Sequence, residues 1–471
     1  MSGGGRFALR SRRVITDGRE MASTVVVDKG TIERLMDYAA DPACPVEDLG
    51  DKVLMPGLVD THVHINEPGR TEWEGFNTAT QAAAAGGITT VVDMPLNCTP
   101  VTTTAQALQQ KLEALGDQLW VDCGFWGGVV PDSLDDLEEL LCAGVLGVKS
   151  FTIHSGIDDF PQVDESHLRR AIPLVAKYGL PYLIHAELDR DNTPTPEIGP
   201  RYQSFLQSRP RKWENDAIEL MIRLAREAKS AGHSSRIHIV HLSSAEAIPA
   251  IQQARSEGLD ISAETCPHYL TLFAEACADG KTLFKCCPPI REDENREALW
   301  QGLENGVIQF VVSDHSPCTP QLKHLDSGDL EKAWGGISSL QFGLSLIWTE
   351  ASERGIPLTQ VVDWMATQPA EFAGMAGRKG RIAPGYDADL VVFDDSAEFV
   401  ITSDIIKYRH KITPYEGRTV KGVIDKTLLR GLPVYAHGDI IGMPAGQAIL
   451  RAANGGQAKL GPTNKTWIAL K

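Results

Sequence analysis

The sequence lacks the features that mark membrane, secreted and disulfide-rich proteins. Its 471 residues contain no apolar run near the ~20 residues that a membrane-spanning helix needs, and the first residues contain no apolar core of the signal-peptide type. The nine cysteines are odd in number and none is spaced as C-x-x-C, which argues against a disulfide framework and against a zinc ribbon. We therefore expect a soluble protein of a reducing compartment, with the cytoplasm as its location.

The sequence also lacks positive charge. It holds 45 Lys and Arg against 62 Asp and Glu, a net charge of −17, so a polyanion would be repelled and nucleic acid is not an expected partner. The first 13 residues depart from this balance, since they contain four Arg and no acidic residue. This segment faintly resembles a transit peptide, and the alternative is an ordinary loose terminus. Organellar targeting is therefore left open.

What the sequence does contain is a regular series of short apolar runs. The length suits a barrel of roughly 250 to 350 residues with an attached smaller module. Eight runs, each bounded by Gly, Pro or polar residues, occur at residues 54–64, 87–95, 119–127, 144–151, 180–187, 236–244, 259–267 and 307–316. Segments with helical spacing separate them, such as DSLDDLEELLCAG and ENDAIELMIRLAREAKSAG.

Near-continuous apolar strands that alternate with helices are typical of a parallel sheet covered on both faces. Eight such units predict a (β/α)₈ TIM barrel, and a doubly wound open sheet is the alternative. The polar residues favour the barrel, because His, Lys, Asp and Glu recur at the C-terminal ends of the runs, where a barrel assembles its active site.

The two ends of the chain have a different pattern. After residue 380 the sequence consists of short β-prone pieces separated by Gly, Pro and Asp turns, as in GRIAPGYDADLVVFD. We expect a small β-sandwich domain built from both termini, with residues 1–53 as its first part and 380–471 as its second part and tail. Residues 54–379 would then form the barrel.

The first run ends in VDTHVHINEPGR, which contains His62 and His64. Alternate residues of a strand point to the same side, so the two imidazoles project together, and imidazole is a favoured zinc ligand. An H-x-H pair alone is weak evidence, because surface strands carry such pairs by chance. The case strengthens because Lys149, His185, His241 and Asp314 stand at equivalent ends of later runs.

Strand parity separates several neighbouring candidates. His238 and His241 are three residues apart, so parity predicts that only one faces the barrel mouth, and we select His241 as the nearer to the strand end. By the same argument Asp314 is selected over His315, which we expect to orient a neighbouring group. His154 and His268 follow strand ends in loops, where a plain loop histidine and a substrate contact are both open readings.

Lys149 does not fit a cationic metal site as a protonated amine. One interpretation is that its ammonium reaches water or pairs with an acid. The other is that CO₂ has converted the amine to a carbamate, N6-carboxylysine, whose two oxygens can bridge two ions. Four imidazoles, one carbamate and one aspartate would suit two divalent ions that activate a water molecule.

These residues resemble the cyclic amidohydrolases of the amidohydrolase superfamily. The likeness runs from about residue 50 to 440 and rests on HVH (62–64), VKSF (148–151), HAE (185–187), ETCPHYL (264–270) and SDHSPC (313–318), with HLSS (241–244), KCCPPIR (285–291), WGGISSLQ (334–341) and KGRIAPGYDADLVVFD (379–394) extending it.

The resemblance implies a hydrolase of ring amides that binds two divalent ions, with zinc favoured and with a small molecule as its partner. The ligand set it implies is His62, His64, carboxylated Lys149, His185, His241 and Asp314. It gives Asp314 the role of proton acceptor and donor, places Asn66, Cys287 and Gly336 against the substrate, and suggests a homotetramer.

The resemblance also separates related activities. Dihydroorotases carry an Arg at the position of Asn66, and dihydropyrimidinases typically read TDHCPF in place of SDHSPC. Hydrolysis of a hydantoin ring is therefore favoured, with a dihydropyrimidinase or general hydantoinase as the alternative. Cys287 departs from relatives that often have Ser or Ala there. A metal-free scaffold protein of the same superfamily is the non-enzymatic alternative, but a scaffold would not be expected to retain all six ligand types.

Overall fold

The N-terminal segment is an ordered part of a β-sheet. The computed structural model describes residues 5–191, 196–452 and 467–470. Strand β1 (Phe7–Thr16) pairs with β2 (Arg19–Asp28), which pairs with β3 (Thr31–Asp37), all antiparallel. Arg6, Arg12 and Arg13 of this segment form ion pairs, and the pair of Arg13 with Asp395 is bidentate at 2.7 and 2.8 Å. The expectation of a loose terminus is therefore wrong from Phe7 onwards, because this segment is paired in a sheet and Ala8, Leu9, Val14 and Ile15 are buried.

Two short strands connect this sheet to the barrel. β4 (Val46–Asp48) and β5 (Val53–Pro56) both pair with β1 in parallel. β5 is the link between the two termini, because its other neighbour is a strand from the second half of the chain.

The eight predicted runs all contain strands of the barrel, and the third run contributes two short pieces. Their bounds are β6 (Leu58–Val63), β7 (Ile88–Asp93), β8 (Asp122–Phe125), β9 (Gly127–Gly128), β10 (Val148–Phe151), β11 (Pro181–His185), β12 (Arg236–Ile239), β13 (Asp260–Thr265) and β14 (Phe310–Val311). Every pairing between neighbours in this series is parallel.

The series closes on itself. A parallel bridge joins Val63 to His315, and the N–H of His64 donates to the carbonyl of His315 at 2.8 Å, which connects the eighth strand to the first. Between β8 and β10 the contact is carried by the N–H of Leu146, which donates to the carbonyl of Phe125 at 3.0 Å. A closed barrel excludes the open doubly wound sheet, and the prediction of a TIM barrel is confirmed.

Helices cover the outside of the barrel. Their bounds are α1 (Phe76–Ala85), α2 (Ala105–Ala114), α3 (Leu137–Ala143), α4 (Glu165–Lys177), α5 (Tyr202–Ser208), α6 (Arg211–Ser230), α7 (Ile248–Ser256), α8 (Pro267–Thr271), α9 (Asp293–Glu304), α10 (Gly343–Glu353), α11 (Leu358–Val362) and α12 (Gln368–Phe372). The amphipathic helices bury their apolar stripe on the strands, as Leu168, Ala171 and Val175 of α4 do. Among the described residues, no helix has the length and apolarity that crossing a bilayer requires.

The C-terminal strands complete the small domain. β15 (Leu390–Val400) pairs with β5 and with β16 (Thr419–Leu429), and the sheet continues through β17 (Leu432–Ala436) to β18 (Asp439–Ile440), all antiparallel. Side chains from both termini share one apolar core, which includes Leu9, Val25, Leu390 and Leu428. The prediction of a small β-sandwich domain built from both termini is confirmed.

The end of the chain returns to the barrel. β19 (Ala448–Arg451) lies parallel to β8, and β20 (Ile468–Leu470) lies parallel to β19. This pairing was not expected from the sequence. Residues 453–466 and 471 of the predicted C-terminal part, and residues 1–4, lie outside the described residues. The proposed domain boundaries at residues 53/54 and 379/380 stay a prediction.

Candidate metal centre

One cavity of about 310 Å³ opens where the barrel strands end at their C-terminal side. All six predicted metal ligands line it: His62, His64, Lys149, His185, His241 and Asp314. They come from six different positions along the chain, and the parallel barrel gathers them because each follows or ends a strand at the same face. The ring centroids of His62 and His64 are 5.6 Å apart, those of His62 and His241 5.4 Å, and those of His185 and His241 4.6 Å.

Three of the predicted ligands, His62, His64 and Asp314, meet around one carboxylate oxygen. Oδ1 of Asp314 lies 3.2 Å from Nε2 of His62 and 3.5 Å from Nε2 of His64. One ligand atom from each of these residues falls within 4.8 Å of the others. Imidazole and carboxylate are suitable donors for zinc and similar divalent ions, so the donor set fits a metal ion at this point.

The backbone is no longer extended at two of the predicted ligands, His241 and Asp314. His241 has φ of +40° and Asp314 has φ of +43°, which is uncommon for residues other than glycine. β12 ends at Ile239 and β14 at Val311, so both residues belong to the turns that follow. Such backbone strain clusters at functional sites, where the surrounding structure maintains it.

His241 lines the cavity as expected. The strand-parity argument that selected it over His238 was wrong. His238 also faces the barrel interior, where its ring lies 5.2 Å from that of Phe310 and 4.1 Å from that of Phe372. Period-two alternation cannot relate His238 to His241, because the chain has already left the strand between them.

Lys149 is buried among these groups. Its side chain is 1% exposed, and Nζ lies 3.3 Å from Nε2 of His62. Burial lowers the pKa of the Lys149 amine to about 8, although the charges of Asp314 and Glu264 act in the opposite direction. A larger share of the amine is therefore neutral near pH 7 than for an exposed lysine, and the neutral amine is the form that reacts with CO₂.

His185 is held by a carboxylate that sequence reasoning did not single out. Nε2 of His185 lies 2.7 Å from Oε2 of Glu187, and Glu187 also accepts two hydrogen bonds from Arg209, at 3.0 Å and 2.5 Å. The ring of His185 stacks on Phe151 with centroids 4.4 Å apart. Burial would raise the pKa of Glu187, but Arg209 and His185 together outweigh it and hold the pKa at about 2.

Glu264 is a second carboxylate that was not predicted from the sequence, and it contacts His62. Its Oε1 is 2.5 Å from Nδ1 of His62, and its Oε2 is 3.0 Å from Nε2 of His238. Glu264 lies in β13 and is fully buried. Its position within the motif ETCPHYL, one residue before the end of a barrel strand, is the signal that could have identified it.

His315 behaves as expected of a group that orients its surroundings. Its Nδ1 accepts hydrogen bonds from the backbone N–H groups of Ser339 and Leu340 at 3.1 and 3.3 Å. Nε2 therefore carries the proton and donates to Glu74 at 3.1 Å. These bonds fix the turn that carries Asp314.

The predicted substrate contacts differ in position. Cys287 and Gly336 line the cavity, whereas Asn66 does not appear in its wall and is fully buried, with Nδ2 donating to the carbonyl of Pro317 at 3.3 Å. Gly336 has φ of +135°, and a Cβ there would lie 2.2 Å from the carbonyl oxygen of Ser316. Its own N–H donates to Lys285 O at 2.8 Å, so this glycine shapes the wall.

The two loop histidines, His154 and His268, lie in different environments. His154 is on the cavity wall and largely exposed. His268 is buried, and neither ring nitrogen has a hydrogen-bond partner among the described residues. Asn97, which was not selected from the sequence, lines the cavity with its amide 3.5 Å from Nδ1 of His64.

Comparison with known proteins identifies the class. Residues 53–434 match the model of the amidohydrolase family, and the chain belongs to that family. It is 47% identical over 448 residues to an allantoinase of Streptomyces avermitilis, covering 94% of this chain and 98% of the relative. It is 44% identical to an allantoinase of Saccharomyces cerevisiae with the same coverage, and 38% identical to one of Escherichia coli over 91% of this chain and 94% of the relative.

Among solved structures, two cyclic amide hydrolases share the fold. The L-hydantoinase (dihydropyrimidinase) of Arthrobacter aurescens matches with a TM-score of 0.86 and 28% identity, over 94% of this chain and 99% of that one. The dihydropyrimidinase of Brevibacillus agri matches with a TM-score of 0.83 and 28% identity, over 94% and 98%.

Proposed function

We propose that this protein is an allantoinase, which hydrolyses an amide of the hydantoin ring of allantoin to give allantoate in purine breakdown. The observation that carries the proposal is the convergence of the six predicted ligand side chains on one cavity, in a chain that is similar over most of its length to allantoinases. A cavity of about 310 Å³ suits a small ligand.

The residues present fit two divalent ions, with zinc favoured. His62, His64 and Asp314 would hold one ion, and His185 and His241 the other. His241 supports this assignment, since its Nδ1 is buried without a hydrogen-bond partner in the described structure. Lys149, as a carbamate, would reach both ions. When bound, the ions lower the pKa of a shared water and polarise the carbonyl oxygen of the ring amide.

Asp314 is the residue placed to move the proton. Burial would raise the pKa of Asp314, but the imidazoles of His62, His64 and His241 outweigh it and hold the pKa well below its ordinary value. Its carboxylate is therefore ionised and can accept a proton from the attacking water. The same carboxylate then returns that proton to the departing ring nitrogen, which completes the hydrolysis.

The cavity wall suits a substrate that becomes an acid. Ring opening converts a neutral amide into a carboxylate, and Arg209 and Lys285 both line the cavity. Cys287 and Gly336 come from two loops that line the cavity, and we expect these loops, rather than the ions, to discriminate between substrates. Asn97 is a further candidate for contact with the ring.

A hydantoinase or dihydropyrimidinase is the second candidate, because two solved structures that share the fold carry those names. The test is a comparison of kcat/KM of the purified, metal-loaded protein on allantoin, hydantoin, dihydrouracil and dihydroorotate. We expect allantoin to be preferred by at least 100-fold, since a site that binds the polar groups of one substrate rejects analogues that lack them. Preference for dihydrouracil or dihydroorotate would contradict the proposal.

We also expect a homotetramer located in the cytoplasm. Light scattering coupled to size-exclusion chromatography measures the first, and the distribution of activity between cell fractions measures the second. One relative is a mitochondrial allantoinase of Aquarana catesbeiana, so activity in an organellar fraction is the outcome that would change the expected location.

A further inference from the structure

We propose that two buried carboxylates divide the metal centre between them: Glu264 positions His62 for one ion, and Glu187 positions His185 for the other. This inference rests on the two-ion site of the proposed function. It adds that each ion has its own supporting carboxylate. Glu264 and Glu187 would contact neither the ions nor the substrate and would act through His62 and His185.

Glu264 determines which nitrogen of His62 is available. The carboxylate can only accept hydrogen bonds, so at 2.5 Å from Oε1 the Nδ1 of His62 must carry a proton. Nε2 then carries the lone pair, and this nitrogen faces Oδ1 of Asp314 at 3.2 Å and Nζ of Lys149 at 3.3 Å. The backbone N–H of His241 lies 3.4 Å from the same carboxylate oxygen.

Glu264 is itself held in a fixed position. Its Oε2 accepts from Nε2 of His238 at 3.0 Å, which leaves Nδ1 of His238 to accept from the hydroxyl of Ser262 at 2.7 Å. Burial lowers the pKa of His238 well below its ordinary value, so this imidazole is neutral. Its ring contacts Phe310 and Phe372, which prevents it from turning.

Glu187 selects the opposite nitrogen in His185. Because Nε2 of His185 donates to Oε2 of Glu187 at 2.7 Å, Nδ1 is the nitrogen with the free lone pair. Glu187 is fixed by the guanidinium of Arg209 through two hydrogen bonds. Arg209 also lines the cavity, so the support of this histidine extends to the wall that a substrate would contact.

The two arrangements approach each other at one contact, where the backbone N–H of His241, a proposed ligand of the second ion, donates to Oε1 of Glu264 at 3.4 Å, and the amide oxygen of a Gln side chain could still accept that bond. Among the described residues, no hydrogen bond or ion pair joins the His238–Glu264–His62 series to the Arg209–Glu187–His185 series. Removing a carboxylate that bonds a metal-binding histidine typically lowers metal affinity by about 10- to 100-fold. Loss of the charge of one carboxylate should therefore weaken mainly the ion whose histidine that carboxylate positions.

The test measures metal affinity by equilibrium dialysis of the full-length protein against buffered Zn²⁺, with bicarbonate present, for the wild type, Glu264→Gln and Glu187→Gln. The wild type should bind two ions. Each variant should keep one at wild-type affinity and bind the other about 10- to 100-fold more weakly. Asp389→Asn, which neutralises a buried carboxylate in contact with Lys379, is the matched control and should keep both ions.

The assignment of each ion is tested in a His64→Ala background, in which only the ion at His185 should remain. There, Glu187→Gln should weaken the remaining ion and Glu264→Gln should leave its affinity within about twofold. If Glu264→Gln does not fold, as judged by circular dichroism, His238→Gln provides the same comparison through the support of Glu264.

Two results would overturn the inference while leaving the proposed function intact: a wild type that binds two ions and variants that bind both as tightly, or variants that each lose both ions together. A wild type that binds fewer than two ions would instead contradict the proposed function itself.

Discussion

Nε2 of His62 lies 3.2 Å from Oδ1 of Asp314, although one residue stands at the end of the first barrel strand and the other follows the eighth. With Nδ1 of His62 donating to Glu264, both of the facing atoms are electron-pair donors. Two such atoms do not stabilise each other without a cation or proton between them. The pair therefore suits a shared cation, and this is where the first of the two proposed ions would bind.

Asp314→Asn should abolish most of the activity. The amide cannot accept the proton of the attacking water, so we expect kcat to fall by about 10²- to 10⁴-fold. Steady-state kinetics on allantoin measure the effect, and Asp51→Asn, at an exposed ion pair in the small domain, is the control. A kcat within tenfold of the wild type would show that another group moves the proton.

Lys149→Ala should lose bound metal and activity together. The variant removes the amine that would be carboxylated, and short carboxylic acids added to the solution should restore part of the activity by supplying the missing oxygens. Metal content and rate are measured with and without acetate or propionate. Full activity without added acid would mean that the lysine is incidental.

Chelation should inactivate the wild type reversibly. Removal of the ions takes away the activated water and the polarised carbonyl, so the rate should fall to the background value. Zn²⁺, Co²⁺ or Mn²⁺ should restore it, and restoration should require bicarbonate if the carbamate is lost with the ions. An unchanged rate after metal removal, confirmed by elemental analysis, would be incompatible with metal catalysis.

Gly336→Ala should damage the cavity without unfolding the protein. A Cβ at this position would lie 2.2 Å from the carbonyl of Ser316, so the wall must shift. We expect KM for allantoin to rise at least tenfold while metal content stays at two ions. Gly355→Ala is the matched control, since it also has positive φ but meets nothing within 4 Å. Equal kinetics for the two variants would remove Gly336 from the binding wall.

Lys379→Met should destabilise the fold rather than the site. Nζ of Lys379 contacts Asp122 and Asp389 at 2.6 Å and Asp387 at 3.0 Å, all in a buried cluster that joins the start of β8 to the small domain. Removing the cation leaves Asp389 without its ion-pair partner, whereas Asp122 keeps Arg430 and Asp387 keeps Arg378. Breaking a buried pair in this way costs about 3 to 5 kcal/mol. Denaturant unfolding measures this cost, and Lys332→Met, at an exposed ion pair, should change stability by less than about 1 kcal/mol. Equal stability of the two variants would contradict the assigned role.

The sequence predicted the barrel well because each parallel strand is buried on both faces and therefore appears as an apolar run. The six residues predicted as ligands all line the cavity, since ligand types at strand ends are a local signal, and their role as ligands stays a prediction. The return of β19 to β8 could not be predicted, because the pairing of a short tail strand leaves no periodic pattern in the sequence.

Glu264 and Glu187 were not predicted from the sequence, for a related physical reason. Glu264 acts across the barrel on His62, and its role depends on the register between β13 and the first strand, which no local pattern encodes. Glu187 was closer to detection, because it stands two residues after His185 and alternate residues share a side while strand geometry persists. Asn66 was placed at the substrate by its position after H-x-H, but its side chain turns to Pro317 instead.

The most direct test of the account is a crystal structure of the metal-loaded protein with anomalous diffraction recorded at the zinc edge. The account predicts two peaks, one between His62, His64 and Asp314 and one beside His185 and His241, with density for a carboxylated Lys149 that reaches both. A single peak elsewhere in the molecule, or an unmodified Lys149 beside two bound ions, would contradict it.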